Sequence, residues 1–155
     1  MMSLELRPVT AGNWRALIKL KVREDQSDFV ASNLMSIAEA QFGFEDEGHW
    51  DFYPFGAYVD QEAVGFVMYC LNLNHSRFQA FIMRLMVDEH FQSKGYGREI
   101  IKQVLDVFRA NGQIKNVGIS YEPENVAARN LYASLGFVEP GAMLGNETMA
   151  VLKLR

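Results

Sequence analysis

Apolar and polar residues alternate along Leu4-Glu5-Leu6-Arg7-Pro8-Val9, which predicts a short strand. Pro8 removes a ladder donor, so this strand belongs at a sheet edge. Thr10 is then read as the N-cap of a helix carrying Trp14, Leu17, Ile18 and Val22. A second helical period runs from Ser27 or Asp28 through Val30, Leu34, Ile37, Ala38 and Phe42, and Gly43 stops it. Glu45 to Pro54 shows no period and reads as an irregular acidic and aromatic connection. Phe55–Val59 and Val64–Leu71 form an antiparallel pair around Asp60-Gln61-Glu62-Ala63. Asn72 to Arg77 is a polar loop. The next strand, Gln79–Val87, is apolar on both faces and therefore central. Strict alternation puts Phe81, Met83, Leu85 and Val87 on one of its faces, and Ile82, Arg84 and Met86 on the other.

After Gly97 a helix runs from Arg98 to about Ala110, with Ile100, Ile101, Val104, Leu105 and Phe108 on one stripe and Asn111-Gly112 as its stop. A strand at Asn116–Tyr121 and a helix at Ala127–Leu135, closed by Gly136, follow. Phe137-Val138 starts another strand, and Thr148–Leu154 is the last. The order β-α-α-β-β-β-α-β-α-β-β predicts an α/β sheet in one domain spanning residues 1–155.

Composition changes this picture little. Hydrophobic residues are 49% and charged residues 22%, ordinary values for a folded chain, and 155 residues suit one core. A net charge of −4 speaks against a nucleic-acid binder with a broad basic face. One cysteine, Cys70, allows no internal disulfide, and its apolar neighbours make it an inert core residue. Met1-Met2-Ser3-Leu4-Glu5 is unlike a signal peptide, and no run reaches membrane-spanning length, so a cytoplasmic protein without membrane attachment is expected. His49, His75 and His90 share no ligand spacing. Surface positions are expected for all three, and no metal.

The candidate chemistry lies between the central strand and the helix that follows it. Gln92-Ser93-Lys94-Gly95-Tyr96-Gly97 leads directly into that helix. A strand, a glycine-bearing turn and a helix N-terminus aim backbone N–H groups and a helix dipole at one point, which suits a phosphate. Lys94 and Arg98 add positive charge there. A P-loop would need Gly-x-x-x-x-Gly-Lys-Ser/Thr, which is absent. A dinucleotide turn would need a third glycine where Ile100 stands.

The remaining pattern, Gln/Arg-x-x-Gly-x-Gly/Ala, resembles the pyrophosphate loop of the GNAT superfamily of N-acetyltransferases. A second stretch, Asn125-Val126-Ala127-Ala128-Arg129-Asn130-Leu131-Tyr132-Ala133-Ser134-Leu135-Gly136-Phe137, resembles the other signature of that superfamily, in the right order. The resemblance implies a mixed, mostly antiparallel sheet flanked by helices and splayed between its fourth and fifth strands, here Gln79–Val87 and Asn116–Tyr121. It implies acetyl-CoA as co-substrate. The pantetheine arm would pair with Leu85, Met86 and Val87, and a backbone N–H near Val87 would polarise the thioester carbonyl. The pyrophosphate would rest on the turn from Gln92 and Ser93 through Lys94, Gly95, Tyr96 and Gly97 to Arg98, with Asn125 and Ala128 beside the CoA arm. Tyr132 would be the general acid that protonates the leaving thiolate; a phenol of pKa ~10 can do this.

Many members carry a glutamate on the fourth strand as general base. Met83 and Arg84 stand there instead, which leaves Glu122, Glu39, water or a backbone carbonyl. Within the superfamily the chain is similar to small bacterial acetyltransferases of the spermine/spermidine type, at Val64–Tyr69, at Arg84–Glu89 and in the Gly-Asn-Glu-x-Met tail at Gly145–Met149. The implied partners are a small-molecule amine, such as a polyamine, and a second copy of the chain as a homodimer. The acidic residues Asp25, Asp28, Glu39, Glu45, Asp46, Glu47 and Asp51 could face a polycation. Alternative acceptors are a protein N-terminus or an aminoglycoside. A non-catalytic acetyl-CoA-binding module is the alternative of another class.

Overall fold

The computed structural model describes residues 3–155. The reading of Met1 and Met2 as no part of a signal segment lies outside them. The chain runs β1 (Leu4–Pro8), α1 (Trp14–Ile18), α2 (Asn33–Ala40), β2 (Phe44–Glu45), β3 (His49–Val59), β4 (Glu62–Leu71), β5 (Ala80–Val87), α3 (Tyr96–Ala110), β6 (Asn116–Tyr121), α4 (Val126–Ser134), β7 (Met143–Leu144) and β8 (Glu147–Lys153). The sheet order is β1-β3-β4-β5-β6-β8-β7, with β2 paired to β3. Every pair is antiparallel except β5 with β6. This is the mixed, mostly antiparallel α/β sheet expected. No helix among the described residues is long and apolar enough to cross a membrane.

Both sheet faces are covered. On one side the stripe of α3 is fully used: Ile100, Ile101, Val104, Leu105 and Phe108 are all buried, against Val67, Tyr69, Ala80, Ile82 and Ile119. Removing such side chains from water is worth roughly 1.5–3 kcal/mol each. Phe108 meets Tyr69 edge-on at 4.9 Å between ring centres. On the other side Phe66, Met68 and Met86 pack with Ile37 and Ala40 of α2, and Trp50, Cys70, Phe78, Phe81 and Met149 form a second cluster. Cys70 is in the core, as expected, and burial pushes its thiol pKa up.

The structure alters several local expectations. The second helix starts at Asn33, where the Ser32 hydroxyl accepts the Met35 N–H at 3.1 Å; residues 27–31 precede it as turn and extended chain. The N-cap of α1 is Asn13 rather than Thr10, and the helix ends at Ile18, short of Val22. The supposed connection before Phe55 is mostly strand, because β3 begins at His49 and pairs with β4 as far out as Asp51 with Leu71. Phe137-Val138 contributes only a bridge from Val138 to Val151, and the hairpin partner of β8 is β7.

A further difference lies on β5. Met68 pairs with Arg84 and Tyr69 with Ile82, which leaves Met83 as an extra residue in a bulge. Alternation therefore slips by one. Leu85 and Val87 join Ile82 on the α3 side, while Phe81, Met83 and Met86 face the other side. Parallel pairing of β5 with β6 also ends at Ile82 with Ile119. From Met83 to Val87 the edge of β5 that faces β6 has no strand partner among the described residues, so the sheet opens into a V at its centre.

Candidate active site

The V and the α3 N-terminus share one mouth. Where β5 ends, the Asp88 N–H donates to Val64 O at 2.8 Å. The Asp88 carboxylate accepts the N–H of Lys21 at 2.9 Å and of His90 at 3.0 Å, and contacts His90 Nδ1 at 2.9 Å. The Glu89 N–H donates to Lys21 O at 2.7 Å. This clamp fastens the segment after α1 to the start of the glycine turn. Burial raises the Asp88 pKa, but the hydrogen bonds from Lys21 and His90 outweigh it, and the net shift is downward. The bond to Asp88 raises the exposed His90 in turn.

Gln92 then turns back. Its amide donates to Val87 O at 2.9 Å and to Gln26 Oε1 at 2.9 Å. Ser93 and Gly95 take positive φ, 65° and 83°, so the chain folds tightly into α3. Gly95 is the N-cap of α3 and offers no side chain to cap it. The amides of Tyr96, Gly97 and Arg98 find no backbone acceptor among the described residues. Three free N–H groups and a helix dipole thus converge on an open spot, which fits a pyrophosphate. Lys94 is exposed, and Arg98 is fixed outside the cleft, with Nη2 donating to Ser134 Oγ at 2.5 Å.

A cleft of about 220 Å³ lies over this turn. Leu85, Met86 and Val87 form one wall; Gln92, Ser93, Gly95, Tyr96 and Gly97 form its base; Asn125, Ala128 and Tyr132 form the facing wall. Apart from Lys94 and Arg98, every residue assigned from the two signatures lines this one space. Along the cleft β5 has no strand partner on its β6 side among the described residues, although Val87 O accepts from Gln92 and Met83 O from Arg84. Asn125 caps α4, its Oδ1 accepting the Ala128 N–H at 3.2 Å.

Tyr132 is buried, with its ring 5.5 Å from that of Tyr121 and 6.0 Å from that of Phe137. Burial, and then the fields of Tyr121 and Glu147, push its phenol pKa well up. The phenol therefore stays protonated across the physiological range, and no side-chain hydrogen bond contributes to that shift.

Tyr132 also lines a second cavity of about 250 Å³, deeper in the V, with Asp28, Arg84, Ser120, Tyr121 and Glu147. Met83 connects this region to a third, of about 600 Å³, on the far face. Trp50, Phe52, Phe78 and Phe81 wall the third cavity, and Glu39, Asp46 and Glu47 stand among them. The acidic and aromatic stretch from Glu45 is thus a cavity wall as well as a strand.

Of the two base candidates, Glu39 is bound to Arg84 Nη2 at 3.0 Å, and Glu122 lines none of the three cavities. Glu147 lines the same cavity as Tyr132, although it has no role in the sequence reading beyond the quoted Gly-Asn-Glu-x-Met tail. Nothing local marks it out, because only the folded hairpin brings it to Tyr132.

The surface position expected for His75 is wrong. It is 5% exposed, and its Nε2 lies 3.1 Å from Asp46 Oδ2 and 3.4 Å from Glu47 Oε2. These three side chains have metal-like proximity. However, His75 Nδ1 accepts the N–H groups of Arg77 at 3.2 Å and Phe78 at 3.3 Å. The ring proton therefore sits on Nε2 and is directed to Asp46, which makes the cluster a hydrogen-bonded clasp. His49 and His90 are exposed, as expected.

The fold, the uncapped helix behind a glycine turn and the open central strands define an acetyltransferase. The chain belongs to the acetyltransferase (GNAT) family, whose model matches residues 14–137. It is an acetyl-CoA-dependent N-acetyltransferase. Among its relatives, a spermine/spermidine N(1)-acetyltransferase of Bacillus subtilis is 26% identical, over 98% of this chain and 99% of that protein. A domain from Methanocaldococcus jannaschii has the same fold, with a TM-score of 0.76 at 18% identity, covering 99% of this chain and 100% of that one. So does a spermidine N-acetyltransferase from Vibrio cholerae in complex with CoA and spermine, with a TM-score of 0.70 at 19% identity, covering 96% and 92%.

Proposed function

We propose that this protein moves acetyl from acetyl-CoA directly to a primary amine of a small organic cation, with a polyamine such as spermidine or spermine as the acceptor class. The observation that carries this reading is the position of Tyr132. It stands where the cleft over the phosphate turn meets the cavity holding Asp28 and Glu147. A donor lying along Leu85–Val87, with its pyrophosphate on the amides of Ser93 to Arg98, would bring its thioester toward Tyr132. The free backbone of β5 near Val87 would polarise the carbonyl, and the Tyr132 phenol would protonate the departing thiolate. Asn125 and Ala128 would flank the arm.

The acceptor would come from the opposite side. Carboxylates at Asp28 and Glu147, and beyond Met83 at Asp46 and Glu47, are separated by apolar wall. That spacing suits ammonium groups separated by methylenes, and the relatives named for spermine and spermidine support the same class. The rings of Trp50, Phe52, Phe78 and Phe81 favour a second reading, an amine carried on a bulky apolar body.

An acetyl-CoA-dependent thiol-release assay over polyamines, arylalkylamines, aminoglycosides and peptides separates these readings. Spermidine and spermine are expected to give the highest kcat/KM. Preference for an arylalkylamine would transfer the assignment to the second reading. Acetyl-CoA binding with no turnover on any amine would leave only a binding module.

A further inference from the structure

An alkylamine is protonated near neutral pH, and its lone pair is then unavailable for attack, so transfer needs a proton acceptor beside the acceptor amine. Met83 and Arg84 provide none. Glu39 is engaged by Arg84, and Glu122 lies outside the cavities. Asp28 reaches the V from an exposed segment ahead of α2. Glu147 differs from all of these. It projects from the first residue of β8, a strand paired with β6 and β7. It lines the same cavity as Tyr132, close enough for its field to act on that phenol. The Ser120 hydroxyl donates to Glu147 Oε1 at 2.6 Å, which fixes the carboxylate, and the other oxygen has no partner among the described residues.

We propose that Glu147 is the group that takes the proton from the acceptor amine, with Ser120 as its positioning residue. This rests on the transfer reading above. The ammonium gives one proton to Glu147. The freed nitrogen attacks the thioester carbonyl carbon; the N–C bond forms and the C–S bond breaks. Tyr132 gives its phenol proton to the thiolate and recovers one from the acylated nitrogen, and Glu147 releases its proton to water. Ammonium and acetyl-CoA thus become amide, CoA thiol and one proton. Four other titratable or charged groups face Glu147 across the cavity: Asp28, Arg84, Tyr121 and Tyr132. Arg84 is held by Glu39 and Met83 O, and the Tyr121 hydroxyl by Glu139, so neither competes for the amine proton.

Glu147→Gln keeps the side-chain shape and removes the base. At pH 7, with the best amine of the panel, kcat is expected to fall about 10²-fold, within the usual range for one acid–base group. The deficit should close as pH is raised toward the acceptor's own pKa, where the amine arrives neutral. Glu122→Gln should leave kcat and KM unchanged, and Ser120→Ala should lower kcat by a smaller factor. A KM rise at constant kcat across the pH range, or a deficit that does not depend on pH, would overturn the assignment in favour of simple cation binding. Thermal stabilisation by acetyl-CoA reports whether each variant is folded. If the glutamine variant does not fold, Glu147→Asp takes its place. It should retain reduced activity with the wild-type pH profile; a profile that rises only near the amine's pKa would count against the base role. Wild-type protein that binds acetyl-CoA but acetylates no amine would fail the transfer reading itself, a result separate from any outcome with Glu147.

Discussion

At the scale of single residues, Tyr132 carries the most specific prediction. Its phenol is buried, pushed up in pKa and shared by two cavities. Tyr132→Phe removes only the hydroxyl, so packing against Tyr121 and Phe137 survives. Loss of kcat by about 10²-fold is expected, with acetyl-CoA binding retained; single-turnover thiol release measures the first and calorimetry the second. A variant with full kcat would remove Tyr132 from the chemistry. Gln92 shows how a residue type can be legible and its contact not. The pattern marks it as part of the loop, yet its amide reaches Val87 O and Gln26, so it braces the end of β5 against the segment ahead of α2. Only the meeting of those two segments reveals this.

At the scale of elements, the clamp at Asp88 joins β5, the glycine turn and the segment after α1. The folded-state pKa of Asp88 is depressed, so its contribution is present above the unfolded value of about 4 and is lost as pH falls through the folded value. The Lys21 amide should therefore be protected from hydrogen exchange at neutral pH and lose protection selectively in acid. Asp88→Asn should weaken that protection already at neutral pH. Equal protection in the variant and the wild type would mean the clamp does not hold the segment. The bulge at Met83 is the other element-scale feature. It sends Leu85 and Val87 to the α3 side and ends pairing with β6. Strict alternation cannot foresee a bulge, because the residues around it are apolar on both faces and no local signal breaks the period.

At the scale of the molecule, the donor site is assembled from three separate parts of the chain: β5, the turn into α3, and α4. A ligand that binds this assembly and not the unfolded chain must stabilise the fold. Acetyl-CoA at a hundredfold excess over its Kd should add about 2.7 kcal/mol. For a chain of this size that is a rise of roughly 5–10 °C in Tm. Differential scanning fluorimetry measures it; no rise at saturating acetyl-CoA would remove the donor site from this cleft.

The sequence by itself determined the order of the longer elements, though not the short strands β2 and β7, and it determined the α3 stripe, the glycine turn and the Asn125–Phe137 signature. These depend on local periodicity and on conformational needs that particular residues meet, such as positive φ at Gly95. It also placed Cys70 in the core, because an apolar run is buried whatever its partners. Only the tertiary structure decided the slip at Met83, the burial of His75 between Asp46 and the amides of Arg77 and Phe78, and the meeting of Glu147 with Tyr132. The slip, the His75–Asp46 contact and the meeting of Glu147 with Tyr132 each join residues distant in sequence, and such contacts are selected by how strands pair and cavities close rather than by what any one segment prefers.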